Sequence, residues 1–329
     1  MGQGRSATSP DAYRAPGWLP GGHAQTILPY FLRRPRVPMR RETIGTRDGD
    51  VWAFDWLDAP ATDHSPLVVL FHGLEGGSGS HYVRSLFAAL AARGWRGVVP
   101  HFRGCAGAPN RLPRAYHSGD HEEIGAMLDA VRARVAASTV VHACGISLGG
   151  SALLNWLGRV GPAAAAVVSR AAAVSAPLDL MAAGHAIDRG MSRIYAKHFL
   201  ITLKPKALAM ASRFPGVLDA DRIRRARSMW DFDDGVTSLL HGFTGTPDYW
   251  TRASSKPWLA SIGVPTLVIN ARNDPFVPEE SLPTCDEVSS HVVLEQPATG
   301  GHTGFLTGPA PGNLDWLPRR LLTFFDATV

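Results

Sequence analysis

Three polar residues spread along the chain have the types and the order that nucleophilic catalysis needs. They are Ser147, Asp274 and His302. A serine hydroxyl is too weak an acid to attack a carbonyl unaided, so it needs an imidazole to take its proton. The imidazole in turn needs a carboxylate that fixes its tautomer and stabilises its cation. Serine, aspartate and histidine in this order form one of the recognised arrangements of the triad. They are the candidate catalytic residues.

Ser147 lies at the centre of the pentapeptide Gly145-Ile146-Ser147-Leu148-Gly149, after a β-branched run and before a helical pattern. A G-x-S-x-G sequence between a strand and a helix forms a strained turn that exposes the serine Oγ. Its two glycines are small because the strand and helix backbones pass close to each other. The pentapeptide alone also fits an ordinary glycine-rich turn. The case for catalysis therefore depends on the other two residues as well.

A second glycine-rich segment, residues 72–78, follows the apolar run 67–71. Such a run predicts a strand covered on both faces, and an α/β sheet binds its ligand at the carboxyl ends of its strands. The backbone N–H groups of Leu74 and Leu148 are therefore the candidate oxyanion-hole donors. A phosphate-binding loop is disfavoured, because the segment lacks a Lys-Ser/Thr ending and the spacing of a dinucleotide fingerprint.

The acid and the base each have alternatives. Asp179 also follows a predicted strand and could replace Asp274 as the acid, while Asp274 could simply form a turn before Pro275. His72 and His101 lie at predicted strand ends as well, but both precede the nucleophile. We interpret His72 as a structural donor beneath the oxyanion loop.

The sequence predicts neither a metal nor an organic cofactor. The 13 histidines show no metal-ligand spacing, and residues 120–123 (DHEE) are more typical of a helix N-terminus. Cys105, Cys144 and Cys285 are too few and too widely spaced for a disulfide framework or a zinc site. We interpret Cys144 as a small buried apolar residue and expect a reducing, cytoplasmic location.

The elements that must position these residues alternate between strand and helix from residue 67 to about 177, a segment that includes a strand predicted at 165–175. This alternation predicts an α/β fold with a doubly wound, mostly parallel sheet. An antiparallel hairpin around Asp48-Gly49 precedes it, and strands at 264–270 and 291–295 and a helix at 314–326 complete it. Residues 179–258 lack the alternation and read as a helical cap whose methionines and aromatic residues could line an acyl pocket. We predict a flexible tail at 1–17, a core at 18–178 and 259–329, and this cap inserted between them.

The composition is that of a soluble globular protein, with 45% hydrophobic and 19% charged residues among 329. No apolar run is long enough to cross a bilayer, and the N-terminus has no apolar stretch typical of a secretory signal. The net charge of +5 comes with none of the motifs of a nucleic-acid-binding module, so no nucleic-acid partner is predicted. The basic residues are interpreted as solvated surface, with peripheral contact to membrane headgroups as the alternative.

Eight short blocks spread over residues 18–306 resemble the YheT-like subfamily of α/β-hydrolases, which is related to the ABHD-type lipid hydrolases and to yeast medium-chain acyl-ester enzymes. The blocks are 22–26 (GHAQT), 72–77 (HGLEGG), 101–105 (HFRGC), 109–111 (PNR), 116–119 (YHSG), 145–149 (GISLG), 273–275 (NDP) and 301–305 (GHTGF). His121 stands where threonine is expected, a departure that concerns a local hydrogen bond and not the triad.

The resemblance implies an α/β-hydrolase fold with an inserted cap and a serine carboxylic-ester hydrolase with the triad Ser147, Asp274 and His302. Its substrate would be a small-molecule acyl ester, of short or medium chain or a lipid. Two alternatives stay open. One is acyl transfer to an alcohol, and the other is a non-catalytic protein of this fold that binds a ligand or another protein. Epoxide and haloalkane hydrolases are disfavoured because the nucleophile position carries serine instead of aspartate.

Overall fold

A computed structural model describes residues 12–327. Eight strands form one sheet in the order β1-β2-β4-β3-β5-β6-β7-β8. The pairs β1–β2 and β2–β4 are antiparallel, and every other neighbouring pair is parallel. The strands are β1 (Met39–Gly45), β2 (Val51–Leu57), β3 (Leu67–Phe71), β4 (Arg96–Pro100), β5 (Val141–Ile146), β6 (Arg170–Val174), β7 (Thr266–Ile269) and β8 (Val292–Glu295).

Helices cover both faces of this sheet. The α-helices are α1 (Gly22–Ile27), α2 (His81–Ala92), α3 (His121–Arg132), α4 (Leu148–Val160), α5 (Leu180–Ile187), α6 (Arg193–Arg213), α7 (Ala220–Arg225), α8 (Met229–Phe232), α9 (Ser238–Leu240), α10 (Thr246–Ala253) and α11 (Trp316–Asp326). Short 3-10 segments separate some of them, and residues 233–237 form one turn of π-helix.

The central strand β3 shows why the sheet is buried on both sides. All five of its residues are fully buried, and alternate side chains belong to different apolar clusters. Leu67, Val69 and Phe71 pack with α3 and α4, whereas Val68 and Leu70 pack with α2 and α11. A strand in this position needs apolar side chains at every residue, which explains the unbroken run of the sequence.

The segment between β6 and β7 is helical and has apolar clusters of its own. One joins α6 to α7, α8 and the π-helical turn, and a smaller one joins α5 to α10. This segment lies against the carboxyl ends of the strands, where it contributes much of the lining of a large cavity. The predicted fold class, a mostly parallel doubly wound sheet with an inserted helical cap, is confirmed. The limits of the cap at residues 179 and 258 stay a prediction.

Two parts of the predicted organisation need correction. The strand predicted at 165–175 begins only at Arg170, because Gly161–Ala166 forms a 3-10 helix started by Pro162 and continued by alanines without β-branching. The predicted flexible tail includes Tyr13, which is only 4% exposed, donates its hydroxyl to the Leu306 carbonyl and packs edge-on against Phe305. Residues 12–17 are therefore not a loose tail as a whole, and residues 1–11 lie outside the described part of the chain.

Candidate active site

Ser147 occupies the turn between β5 and α4 with a backbone φ of 53°, a left-handed conformation that is strained for a residue with a side chain. A Cβ on Gly145 would lie 2.5 Å from the Gly149 carbonyl oxygen. One on Gly149 would lie 2.5 Å from the His72 carbonyl oxygen. The two glycines thus let the helix approach the strand ends closely enough to hold the serine at the tip of the turn.

Asp274 and His302 follow β7 and β8, and the structure brings them to Ser147. The His302 Nε2 lies 2.9 Å from the Ser147 Oγ, and the His302 Nδ1 lies 2.8 Å from the Asp274 Oδ2. A carboxylate accepts, so Nδ1 carries the proton and Nε2 is free to accept the serine hydroxyl. The ring of Phe276 stacks on the His302 imidazole with ring centroids 4.2 Å apart, and this contact restricts the rotation of the imidazole.

The other acid and base candidates are engaged elsewhere. The Asp179 carboxylate caps the start of α5 by accepting the Ala182 N–H. His101 pairs through Nε2 with the Asp55 Oδ2 at 2.8 Å. Asp274 does form the turn considered as its alternative role, because its Oδ1 accepts the Phe276 N–H at 2.8 Å while Oδ2 faces His302. In residues 12–327, no three His, Cys, Asp or Glu side chains are grouped as a metal ion would require.

The two candidate oxyanion donors border the same cavity as the Ser147 side chain. The Gly73 carbonyl accepts a hydrogen bond from the His72 Nδ1 at 2.8 Å and from the Gly76 N–H at 2.9 Å. In a trans peptide the carbonyl and the next N–H point in opposite directions, so these bonds turn the Leu74 N–H away from buried His72. Within the described residues, neither this N–H nor that of Leu148 reaches a protein acceptor.

His72 acts as the structural donor expected from the sequence. It is fully buried, and burial, together with the nearby His101, lowers its pKa to about 3. The ring is therefore neutral at physiological pH. It donates through Nδ1 to Gly73, while Nε2 accepts the Phe102 N–H at 3.2 Å. A neutral ring with both nitrogens engaged holds the loop in one conformation.

A cavity of about 750 Å³ opens beside Ser147, between the strand ends and the cap. Its surface is mostly apolar, and much of it comes from the cap. The cap contributes Leu180, Ala183, Ile187, Phe199, Leu203, Met210, Phe214, Met229, Phe232, Val236, Leu240 and Trp250 to this lining. A site with apolar walls and a few polar groups at the reacting end is typical of small-molecule binding. Its volume is in the range of pockets that bind drug-sized ligands.

One ionic contact in the cavity joins the oxyanion loop to the cap. Glu75, which has a positive φ of 55°, accepts hydrogen bonds from Lys206 Nζ at 2.8 Å and from the Tyr116 hydroxyl at 3.0 Å. The Tyr116 hydroxyl also accepts the Glu75 N–H at 2.8 Å. Glu75 and Lys206 therefore connect the loop that carries Leu74 to helix α6. Sequence reasoning missed this pair, since nothing local relates residues 131 positions apart.

A second carboxyl lies in the cap, on the π-helical turn. Asp233 is buried, and burial raises its pKa to about 6, even though Thr237 Oγ1 and Trp250 Nε1 donate to its two oxygens at 2.7 and 2.8 Å. Both side-chain donors are neutral, so the carboxyl has no counter-ion there. Asp233 ties the turn to α10 at the wall of the cavity.

Two further residues missed by sequence reasoning hold the loops of the candidate acid and base together. Gln25 Oε1 accepts the Gly300 N–H at 2.8 Å and the Asn273 Nδ2 at 2.9 Å. Thr26 Oγ1 accepts the His302 N–H at 2.9 Å and donates to the Gly22 carbonyl. Both side chains are about 2% exposed. The only signal in the sequence was their place in block 22–26, to which no chemistry was assigned.

Known proteins similar to this chain point in one direction. The family described as "alpha/beta hydrolase fold" matches residues 66–309. The YheT protein of Escherichia coli (strain K12), named as a candidate esterase, is 36% identical over 93% of this chain and 91% of its own length. The human phospholipase ABHD3 is 30% identical over 97% of this chain and 80% of its own.

Solved structures agree on the fold. An esterase from Exiguobacterium antarcticum superimposes with a TM-score of 0.55 at 16% identity, covering 88% of this chain and 100% of its own. The α/β hydrolase GrgF from Penicillium gives a TM-score of 0.58 at 14% identity, and the match covers 88% of this chain and 98% of GrgF. At such low identity these likenesses establish the architecture alone.

Proposed function

The chain belongs to the α/β-hydrolase family, and within it to the YheT-like subfamily, and from this premise we propose that it hydrolyses carboxylic esters through an acyl-enzyme intermediate on Ser147. Relatives named as esterases and phospholipases support an ester hydrolase as the class of enzyme. The single observation that carries the mechanism is the hydrogen-bonded series Ser147 Oγ, His302 imidazole and Asp274 carboxylate, with distances of 2.9 and 2.8 Å.

In the first half of the proposed reaction, the Ser147 Oγ attacks the ester carbonyl carbon while His302 Nε2 takes the hydroxyl proton. The negative charge that develops on the carbonyl oxygen is stabilised by the N–H groups of Leu74 and Leu148. When the tetrahedral intermediate collapses, His302 gives its proton to the leaving alkoxide, and an alcohol departs. The acyl group stays on Ser147 as an ester, and Asp274 stabilises the imidazolium throughout.

In the second half, a water molecule replaces the alcohol. His302 Nε2 takes a proton from this water, and the oxygen attacks the acyl carbon through a second tetrahedral intermediate. Collapse releases the carboxylic acid and returns the proton to Ser147. An alcohol that binds in place of the water would yield a new ester, so hydrolysis and acyl transfer differ only in the acceptor.

The shape of the cavity supports an acyl ester as substrate. Its lining is mostly aliphatic and aromatic side chains, many of them from the cap, and Ser147 and His302 border the same cavity. An apolar acyl chain would therefore lie along the cap with its carbonyl at the serine. We propose that residues 179–258 form the cap and that the cap determines which acyl-chain lengths the enzyme accepts. A cytoplasmic location stays a prediction.

The experiment is labelling with a fluorophosphonate probe followed by turnover of p-nitrophenyl esters from acetate to palmitate. Wild-type protein should be labelled and should hydrolyse the esters. Ser147→Ala should lose both properties while keeping its fold. Ser151→Ala, which removes a buried hydroxyl one helical turn further on, is the matched control and should keep both. Absence of labelling and turnover in folded wild-type protein would favour a non-catalytic binding protein, and ester products formed with added alcohol would favour acyl transfer.

A further inference from the structure

Exposed apolar side chains are concentrated on two segments of the described chain. We call the following six the apolar rim: Ile27, Tyr30, Phe31, Met191, Ile194 and Ile201, which are between 42% and 78% exposed. They come from α1 with the 3-10 turn after it, and from the first half of α6 with the 3-10 turn before it. Large apolar side chains exposed in a group, unlike isolated ones, mark an interaction surface.

The two segments meet beside His302. His23 Nδ1 on α1 lies 3.1 Å from the Tyr195 hydroxyl on α6, and the two rings stack. Tyr195 packs on Phe276 with ring centroids 4.6 Å apart, and Phe276 in turn stacks on His302. The apolar rim therefore begins next to the candidate catalytic base.

Helix α6 has two apolar faces, and only one of them is covered. Ala196, Leu200, Leu203 and Ala207 are buried in the cap. Ile194 and Ile201 are 63% and 69% exposed and fall on the opposite side, in one stripe with Lys197. The spacing of three, four and seven residues along that stripe puts them on one helix face. A helix that lies in a membrane interface carries this combination of apolar and basic residues.

The same two segments carry basic residues and lack acidic ones. Residues 12–41 contain six basic residues and no acidic one, and so do residues 189–218. Together these segments hold 12 of the 33 basic residues and none of the 28 acidic residues. The rest of the chain therefore has 21 basic and 28 acidic residues, and its net charge is negative. Arg33, Arg36 and Lys197 are exposed. Arg41 and Lys206 pair with Asp55 and Glu75, and the other ten basic residues leave these segments with an excess of positive charge. Such an excess is complementary to an anionic lipid surface.

We propose that the apolar rim and the basic residues around it dock the protein on an anionic lipid surface. Docking would place the side chains of the rim among the headgroups and upper acyl chains, and the basic side chains against the lipid phosphates. The cavity adjoins this face, because Thr202, the residue after Ile201, lines it together with Pro205 and Lys206 on the same helix. Given the proposed function, which this inference deepens, acyl esters held in a lipid layer would reach Ser147 without crossing free solution.

The test is flotation of the full chain with vesicles of phosphatidylcholine alone and of phosphatidylcholine with phosphatidylglycerol. Wild-type protein should float with the anionic vesicles at low salt and lose this binding at high salt, because salt screens exposed charges. Replacing Arg33, Arg36 and Lys197 by glutamine should weaken binding by about fivefold per residue, on the order of 100-fold together. The matched control replaces Arg47, Arg224 and Arg319, exposed residues outside the two segments, by glutamine and should keep the binding.

A second variant tests the apolar contribution. Phe31→Ser with Ile201→Ser should lose about tenfold in binding for each side chain removed from the lipid. Val140→Ser with Val160→Ser, which removes two exposed apolar side chains elsewhere, should change little. All these variants should keep wild-type turnover of a water-soluble ester.

Four outcomes overturn the inference. They are no flotation of wild type with anionic vesicles at low salt, equal binding to uncharged vesicles, equal losses in the control variants, or a wild-type dimer that the rim variants dissociate. The last would assign this face to a second copy of the chain. Turnover of a water-soluble ester, measured on the same samples, separates the two proposals. Turnover without flotation rejects only the docking surface. Flotation without turnover or probe labelling rejects the proposed function.

Discussion

Replacing Thr26 by valine tests whether helix α1 positions the candidate base. The exchange keeps the shape of the side chain but removes the oxygen that accepts the His302 N–H at 2.9 Å. A buried N–H left without an acceptor costs about 1–3 kcal/mol. If the loop shifts to regain a partner, His302 Nε2 moves relative to the Ser147 Oγ, and a misplacement of about 1 Å can cost on the order of 100-fold in rate.

We therefore expect kcat for a p-nitrophenyl ester to fall between about tenfold and 100-fold, with KM changed by less than about twofold. Thr26→Ser restores an oxygen at the same place and should recover most of the activity. The control is Thr139→Val, which removes another buried threonine hydroxyl at a site remote from the cavity, where it donates to the Asp63 carbonyl. A Thr26→Val enzyme with wild-type kcat, or an equal loss of kcat in Thr139→Val, would refute the positioning role.

Three further predictions concern the elbow, the cavity and acid stability. Gly145→Ala should lower the free energy of unfolding by about 3 kcal/mol or more and abolish probe labelling, since its Cβ would meet the Gly149 carbonyl oxygen at 2.5 Å. Gly79→Ala, with nothing within 4 Å, should do neither, and a stable, labelled Gly145→Ala would contradict this account of the turn. Met210→Trp should lower kcat/KM for palmitate relative to acetate by at least about tenfold, measured over the ester series, because Met210 lines the cavity and tryptophan would shorten it; an unchanged profile would place the acyl chain elsewhere. Stability should fall steeply below about pH 6.5, the ordinary histidine pKa, because five buried or partly buried histidines with pKa values of about 3 to 4 stay neutral when folded but take up protons when unfolded. Asp233, whose pKa is raised to about 6, binds a proton more readily when folded and offsets one of the five. The free energy of unfolding, measured by urea titration, should therefore fall by about 5 kcal/mol per pH unit near pH 5, and an unchanged free energy between pH 6.5 and 5 would refute this prediction. The five are His72, His81, His117, His142 and His241.

The parts of the site that the sequence predicts are those with a local pattern. Ser147 is recognisable because its motif, the strand before it and the helix after it are contiguous. Asp274 and His302 follow from a topological rule, since loops after parallel strands meet at one edge of the sheet. The structure brings the three together, and their catalytic roles stay predictions until the serine is labelled.

The parts that the sequence does not predict depend on contacts between distant segments. Gln25 and Thr26 reach loops about 275 residues away, and no periodicity links the two ends. The raised pKa of Asp233 needs burial without a cationic partner, which a sequence does not reveal. The misplaced start of β6 has a different cause, because an alanine-rich run is compatible with both helix and strand and only Pro162 hints at the 3-10 turn.

The bonds from α1 to the histidine loop also have a consequence for the order in which the protein is made. Residues 22–27 leave the ribosome about 275 residues before residues 300–302, and the two must pair before the base is held in place. The sheet around the nucleophile can form earlier, because its central strands are complete by residue 174. A nascent chain that has not yet released residues 300–302 would thus carry a folded elbow with an inert serine, and reactivity would begin only after those residues pair with α1. A variant lacking residues 22–27 should resemble that nascent state, with an intact elbow and no hydrolytic power.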